Sequence, residues 1–137
     1  MQYRRRLLEI FNEEKRKLGL NGNIELSLNA PSVKTDFKGM KITAYFDGYP
    51  IESDLTSEKA YADPAKFYFS FATKREDNGS YLIHIGPHGD EKGFRKSAKH
   101  ELYHIYKGDC DRMEKNIFEI FWIETRARLY ENYSLRL

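Results

Sequence analysis

The order of hydrophobic periodicities constrains the fold of this chain more than any other feature. Residues 2–18 place apolar side chains at helical spacing, with charged residues between them, which predicts an amphipathic helix. Strand-like segments follow, and a helical period returns at Phe94. Because helices and strands are segregated along the chain instead of alternating, the pattern predicts an α+β fold.

The middle of the chain has the patterns of β-strands and turns. Strands are predicted over residues 24–28, 40–46, 67–71 and 81–85. The last two enclose an Asn-Gly pair, which is a strong hairpin signal. Residues 29–38 are expected to form a turn-like connection and residues 47–65 a long surface loop. We therefore expect a mixed or antiparallel sheet of about four strands.

Two helices are expected after the strands. The first is predicted over residues 94–106 and should end at Gly108, because glycine commonly terminates helices. The second is predicted over about residues 112–133. The chain of 137 residues fits a single domain, expected to span residues 1–137.

Composition excludes several classes of protein. Cys110 is the only cysteine, so neither an intrachain disulfide framework nor a multi-cysteine metal site can form. The net charge of +2 argues against a nucleic-acid-binding module, which is normally strongly basic. No apolar run approaches the roughly 20 residues of a membrane span, and the N-terminal sequence does not resemble a secretory signal. We therefore expect a cytoplasmic protein without a membrane segment.

Residues 100–104 read His-Glu-Leu-Tyr-His, a His-Glu-x-x-His motif inside the first of these two helices. Positions four residues apart on a helix differ by about 40°, so His100 and His104 direct their imidazoles the same way. Two such imidazoles are two ligands of a tetrahedral zinc site. Glu101 lies about 60° from His104, where its carboxylate can take a proton from a water activated by the metal.

The motif needs a third protein ligand, and no histidine follows His104. The downstream carboxylates are Asp109, Asp111, Glu114, Glu119, Glu124 and Glu131. Glu124 is favoured because it shares a helix face with apolar residues, and a buried carboxylate must be paired or must coordinate a metal. That face consists of Met113, Ile117, Ile120, Phe121 and Ala127. Glu119, about 140° away around the helix, is the alternative third ligand.

Other roles remain open for some of these acids. Glu124 could instead form a structural ion pair with Arg126, with Arg128 or with an arginine of the first helix. Asp109 and Asp111 follow the motif closely. Either could accept a hydrogen bond from the ring nitrogen of a ligand histidine that does not bind the metal.

The motif, followed by nineteen residues and Glu124, resembles the gluzincin zinc metallopeptidases, to which thermolysin belongs. The resemblance covers about residues 67–133 and implies a zincin-like fold. It implies a Zn²⁺ ion held by His100, His104 and Glu124, with Glu101 as general base. It also implies that the strand of residues 81–85 edges the cleft and pairs with an extended peptide.

The order of elements is similar to minimal gluzincin-like domains of prokaryotes and to small intracellular peptidases of the ImmA/IrrE kind. Arg128 stands where thermolysin-like enzymes have an aspartate, four residues beyond the third ligand. Residues 124–127 read Glu-Thr-Arg-Ala, where the ImmA-like pattern is Glu-x-Glu-Ala.

The sequence thus predicts a zinc metalloendopeptidase that acts on a peptide or protein, as a monomer or small homo-oligomer. A donor for the developing oxyanion is also required, and the candidates are Tyr106, Tyr130 and His84. The alternative function is a zinc-stabilised, latent or inactive peptidase-like module that binds a peptide or a regulatory protein.

Overall fold

The computed structural model describes residues 2–54, 70–86, 90–111 and 115–137. The helices are Gln2–Lys17 (α1), Glu91–Tyr106 (α2) and Ile117–Tyr133 (α3), with a short 3₁₀ helix at Asp109–Asp111. The strands are Ile24–Ser27 (β1), Ser32–Asp36 (β2), Lys41–Phe46 (β3), Tyr49–Asp54 (β4), Phe71–Lys74 (β5) and Tyr81–His84 (β6). The predicted α+β class is confirmed.

The strands form two three-stranded sheets, so the prediction of one sheet of about four strands is wrong. One sheet has the order β1-β6-β5, with β6 parallel to β1 and antiparallel to β5. The other is the antiparallel meander β2-β3-β4. Strands β2 and β4 occupy segments predicted as a connection and a loop. All five residues of β2 are exposed, so the strand lacks the apolar alternation that would reveal it.

The predicted hairpin between β5 and β6 is confirmed. The N–H of Arg75 donates to the carbonyl of Ser80 at 2.7 Å, and Gly79 adopts a φ of +72° in the turn. Glycine takes this left-handed conformation without a steric penalty. Residues 67–69 of the strand predicted over 67–71 lie outside the described residues, as do residues 55–65 of the predicted loop and 112–114 of the last predicted helix.

Helix α2 holds the centre of the fold and contacts α1, α3, β5 and β6. Its side chains Phe94, Ala98 and Leu102 are buried, and each large apolar side chain buried in this way stabilises the fold by about 1.5–3 kcal/mol. Asp90 caps its N-terminus by accepting a hydrogen bond from the Gly93 N–H at 2.8 Å. None of the helices in the described part combines the length and apolar character needed to cross a membrane.

The first turns of α3 project beyond the core. Its buried side chains are Ile123, Ala127 and Tyr130, all in the part that runs against α2. Ile117 and Phe121, predicted to lie on a buried face, are 76% and 73% exposed. That prediction is therefore wrong for the N-terminal half of the helix. Met113, assigned to the same face, lies outside the described residues.

Candidate metal centre

Two histidine rings and one carboxylate converge between α2 and α3. The Nε2 atoms of His100 and His104 lie 3.1 and 3.0 Å from the two side-chain oxygens of Glu124. The ring centroids of the histidines are 4.9 Å apart. One ligand atom from each of the three residues lies within 4.8 Å of the others. Donor atoms this close together can bind a single metal ion.

The other nitrogen of each ring contacts a second carboxylate. Nδ1 of His100 lies 2.9 Å from Oε1 of Glu131, and Nδ1 of His104 lies 3.0 Å from Oδ2 of Asp109. A carboxylate at Nδ1 favours a proton on that nitrogen and leaves the Nε2 lone pair available. If a metal ion displaces the protons that the Nε2 atoms share with Glu124, the donor set would be two neutral imidazoles and one carboxylate, which fits a zinc ion.

Asp109 is held in place from α3. Nη2 of Arg126 donates a hydrogen bond to Oδ1 of Asp109. Asp109 is only 6% exposed, and a buried carboxylate is stable when it is paired in this way. The ion pair therefore compensates for the burial of Asp109 beside His104.

A cavity of about 900 Å³ opens on this cluster, within the size range of ligand pockets. Its lining includes His100, Glu101, His104, Glu124 and the residues of β5. Glu101 is 6% exposed and lies outside the group of converging ligand atoms. Burial raises the pKa of the Glu101 carboxyl to about 7. A carboxylate with this pKa is suited to taking up and releasing a proton near neutral pH.

The three converging groups stabilise one another electrostatically. Hydrogen bonds with His100 and His104 hold the pKa of Glu124 far below its usual value. Burial lowers the pKa of each histidine, but the hydrogen bond with Glu124 and the neighbouring acidic charges outweigh burial and leave the pKa raised. A metal ion would compete with protons for the same nitrogen and oxygen atoms, so its binding should release protons.

Glu119, the alternative third ligand, lies apart from the histidines. Its backbone N–H donates to Oδ1 of Asn116 at 2.8 Å, and its Oε1 accepts from Nδ2 of Asn116 at 3.0 Å. These bonds cap the N-terminus of α3. The group of potential ligands found in the described parts of the chain contains Glu124 and not Glu119.

The three candidates for an oxyanion donor are not among the described residues that line the cavity. His84 is buried with Nδ1 3.3 Å from Oγ of Ser27. Tyr130 is buried and stacks on Tyr103 with a centroid distance of 4.7 Å. Tyr106 follows His104 by two positions, which turns it about 200° around the helix. The oxyanion donor therefore stays a prediction from the sequence, and the structure does not place any of the three candidates in the described lining of the cavity.

Strand β5 and not β6 borders the cavity. β6 lies between β1 and β5, so both of its edges are paired. The expectation that residues 81–85 edge the cleft is therefore wrong. Phe71–Lys74 line the cavity instead, and no other described strand pairs with the outer edge of β5.

Glu131 was among the possible third ligands in the sequence, but its contact with Nδ1 of His100 was not predicted. Glu131 follows Glu124 by seven residues, so the two side chains differ by about 20° around the helix. A second carboxylate on the same helical face was the signal that could have revealed this contact.

Comparisons of the chain with protein-family models, with curated proteins and with solved structures return no significant match. The chemistry of the site therefore carries the indication of function.

Proposed function

We propose that this chain is a zinc metallopeptidase of the gluzincin type with a zincin-like arrangement of its helices. His100, His104 and Glu124 are the zinc ligands, and Glu101 is the general base. The observation that carries this proposal is the convergence of two Nε2 atoms and one carboxylate in a cavity that Glu101 also lines. Three protein ligands leave a coordination position open, which is typical of catalytic zinc sites.

A zinc ion in this position would polarise the carbonyl of a peptide bond and acidify a water molecule. Glu101 accepts the proton of the attacking water and passes it to the departing nitrogen. Its burial supports this role, because desolvation brings the pKa of the carboxyl to about 7. The carboxylate can therefore hold the proton between the two transfers.

The outer edge of β5 is the proposed binding edge for an extended peptide. The N–H of Arg75 bonds to the carbonyl of Ser80, the residue before β6, so by the alternation of an antiparallel pair Thr73 faces β6, while Ala72 and Lys74 direct their backbone groups away from it. Both outward-facing residues line the cavity. A peptide that adds to this edge would pass along the cavity that contains the histidines. The proposal retains the cytoplasmic location and the monomeric or small homo-oligomeric state expected from the sequence.

The test compares the wild type with His100→Ala and Glu101→Gln. Zinc content is measured by elemental analysis of the purified proteins, and peptidase activity is measured on a library of unstructured peptides. We expect one zinc ion per wild-type chain, loss of zinc in His100→Ala, and retained zinc with activity lowered about 10²- to 10⁴-fold in Glu101→Gln.

Two other results would contradict different parts of the proposed function. A wild type that binds no zinc would disprove the metal centre. A wild type that binds zinc but cleaves no peptide would disprove the peptidase and favour the non-catalytic zinc module.

A further inference from the structure

Glu131 contacts the ring nitrogen of His100 that points away from Glu124. The pair is mostly shielded from solvent, with the His100 side chain 14% and the Glu131 side chain 24% exposed. In such surroundings a hydrogen bond orients its partners more strongly than in open water. The contact at Nδ1 therefore orients the plane of the His100 ring, with Nε2 directed at Glu124, and a proton that Nδ1 donates to Glu131 leaves the Nε2 lone pair for a metal ion.

Two contacts in series orient His104, and the first of them comes from Arg126 of α3. One oxygen of Asp109 lies 3.0 Å from Nδ1 of His104, and its other oxygen accepts a hydrogen bond from Arg126. The three side chains are 9%, 7% and 15% exposed. Asp109 belongs to the 3₁₀ helix that follows α2. Its position relative to His104 therefore depends on the anchor that Arg126 provides.

We propose that Arg126 and Glu131 are positioning residues of the zinc centre. Helix α3 then supplies the third ligand, Glu124, and also orients both histidines of α2. This inference rests on the proposed zinc site. Its consequence is that side chains of α3 outside the ligand set determine the affinity of the site for zinc.

The competing explanation is that both contacts only stabilise the packing of α3 on α2. A packing role would lower the stability of the metal-free protein and leave the zinc affinity of the folded protein unchanged. If the contacts position the histidines, their removal lowers zinc affinity by about 10- to 100-fold, the usual loss for contacts that hold a ligand histidine. The dissociation constant for zinc therefore separates the two explanations.

The experiment uses substitutions on α3 with matched controls. Arg126→Gln removes the charge that anchors Asp109, and Arg128→Gln makes the same change at an exposed arginine of the same helix. Glu131→Leu removes the acceptor at His100, whereas Glu131→Gln retains an oxygen acceptor there. Zinc affinity is measured by competition with a chelator. Imidazole ¹⁵N shifts of the zinc-loaded proteins report the state of each ring.

We expect Arg126→Gln and Glu131→Leu to weaken zinc binding by about 10- to 100-fold, Glu131→Gln to weaken it less, and Arg128→Gln to leave it unchanged. The ¹⁵N shifts should change at His104 in Arg126→Gln and at His100 in Glu131→Leu. Thermal unfolding with excess chelator checks that each metal-free variant is folded.

Wild-type zinc affinity and unchanged ring shifts in both variants would overturn this inference and leave the proposed function intact. A wild type that binds no zinc would overturn both. If Arg126→Gln fails to fold, Glu131→Leu decides the inference, because its position is the more accessible of the two.

Discussion

Glu124 and Glu131 lie two turns apart on α3, and their carboxylates contact opposite nitrogens of one imidazole ring, that of His100. Oε2 of Glu124 is 3.1 Å from Nε2, and Oε1 of Glu131 is 2.9 Å from Nδ1. A ring held from both sides has little freedom to rotate, so the donor atom of His100 is placed by the docking of α3 on α2. The candidate metal centre is therefore a property of the pair of helices, although the sequence motif lies on one of them.

Substitutions of Glu124 and of Glu119 are expected to differ in their effect on zinc affinity. Glu124→Gln should lower zinc affinity by more than about 100-fold, the upper limit for contacts outside the ligand set, because it removes a charged ligand. Glu119→Ala should retain wild-type affinity, since Glu119 bonds to Asn116, the N-cap residue of α3, and is not in the group of converging ligands. Isothermal titration with zinc measures both. Equal losses in the two variants would contradict the ligand set.

The sequence was most informative where the relevant geometry is local. The four-residue spacing of His100 and His104 fixes their common direction within one helix, and Gly108 marks the end of that helix with a φ of +75°. Neither of these features requires knowledge of distant partners.

The sequence was least informative where distant segments meet. It favoured Glu124 by assigning it to a buried face, yet Ile117 and Phe121 of that face are exposed and the Glu124 side chain is 46% exposed. Glu124 lies beside the histidines because α3 packs on α2 from Ile123 onward. The contact of Arg126 with Asp109 likewise depends on tertiary packing, which no local pattern encodes.

Proline substitutions test whether a peptide substrate pairs with the outer edge of β5. Ala72→Pro removes an N–H that faces away from β6, so it should raise the KM for peptide substrates and leave zinc binding unchanged. Thr73→Pro is the matched control, because it removes an N–H that faces β6 and should lower the free energy of unfolding by about 1 kcal/mol or more. Steady-state kinetics and chemical denaturation measure these effects. An unchanged KM in Ala72→Pro would argue against peptide pairing at this edge.

The burial of His84 predicts that the free energy of unfolding depends on pH, and this dependence does not involve the metal centre. Burial lowers the pKa of His84 in the folded protein, where its ring packs against Phe46 and Phe71. The unfolded chain therefore takes up a proton at a higher pH than the folded one. The stability associated with neutral His84 is present above the unfolded pKa of about 6.5 and is lost as the pH falls below it.

The variant His84→Phe isolates this contribution. Denaturant unfolding at about pH 7.5 and about pH 5.5 should show a smaller loss of unfolding free energy in the variant than in the wild type. The other histidines are common to both proteins, so their contributions cancel in the comparison. An equal loss in both proteins would show that His84 does not titrate on unfolding in this range.

Removal of zinc should lower the stability of the wild type, because the proposed ligands join α2 to α3. A ligand that binds only the folded state stabilises it by about 2.7 kcal/mol when its free concentration is 100 times the dissociation constant. Thermal unfolding with zinc and with excess chelator should therefore differ for the wild type. Glu124→Gln lacks one of the three groups that converge on the site and should show a much smaller difference. A chelator effect of equal size in both proteins would place the stabilising zinc at another site.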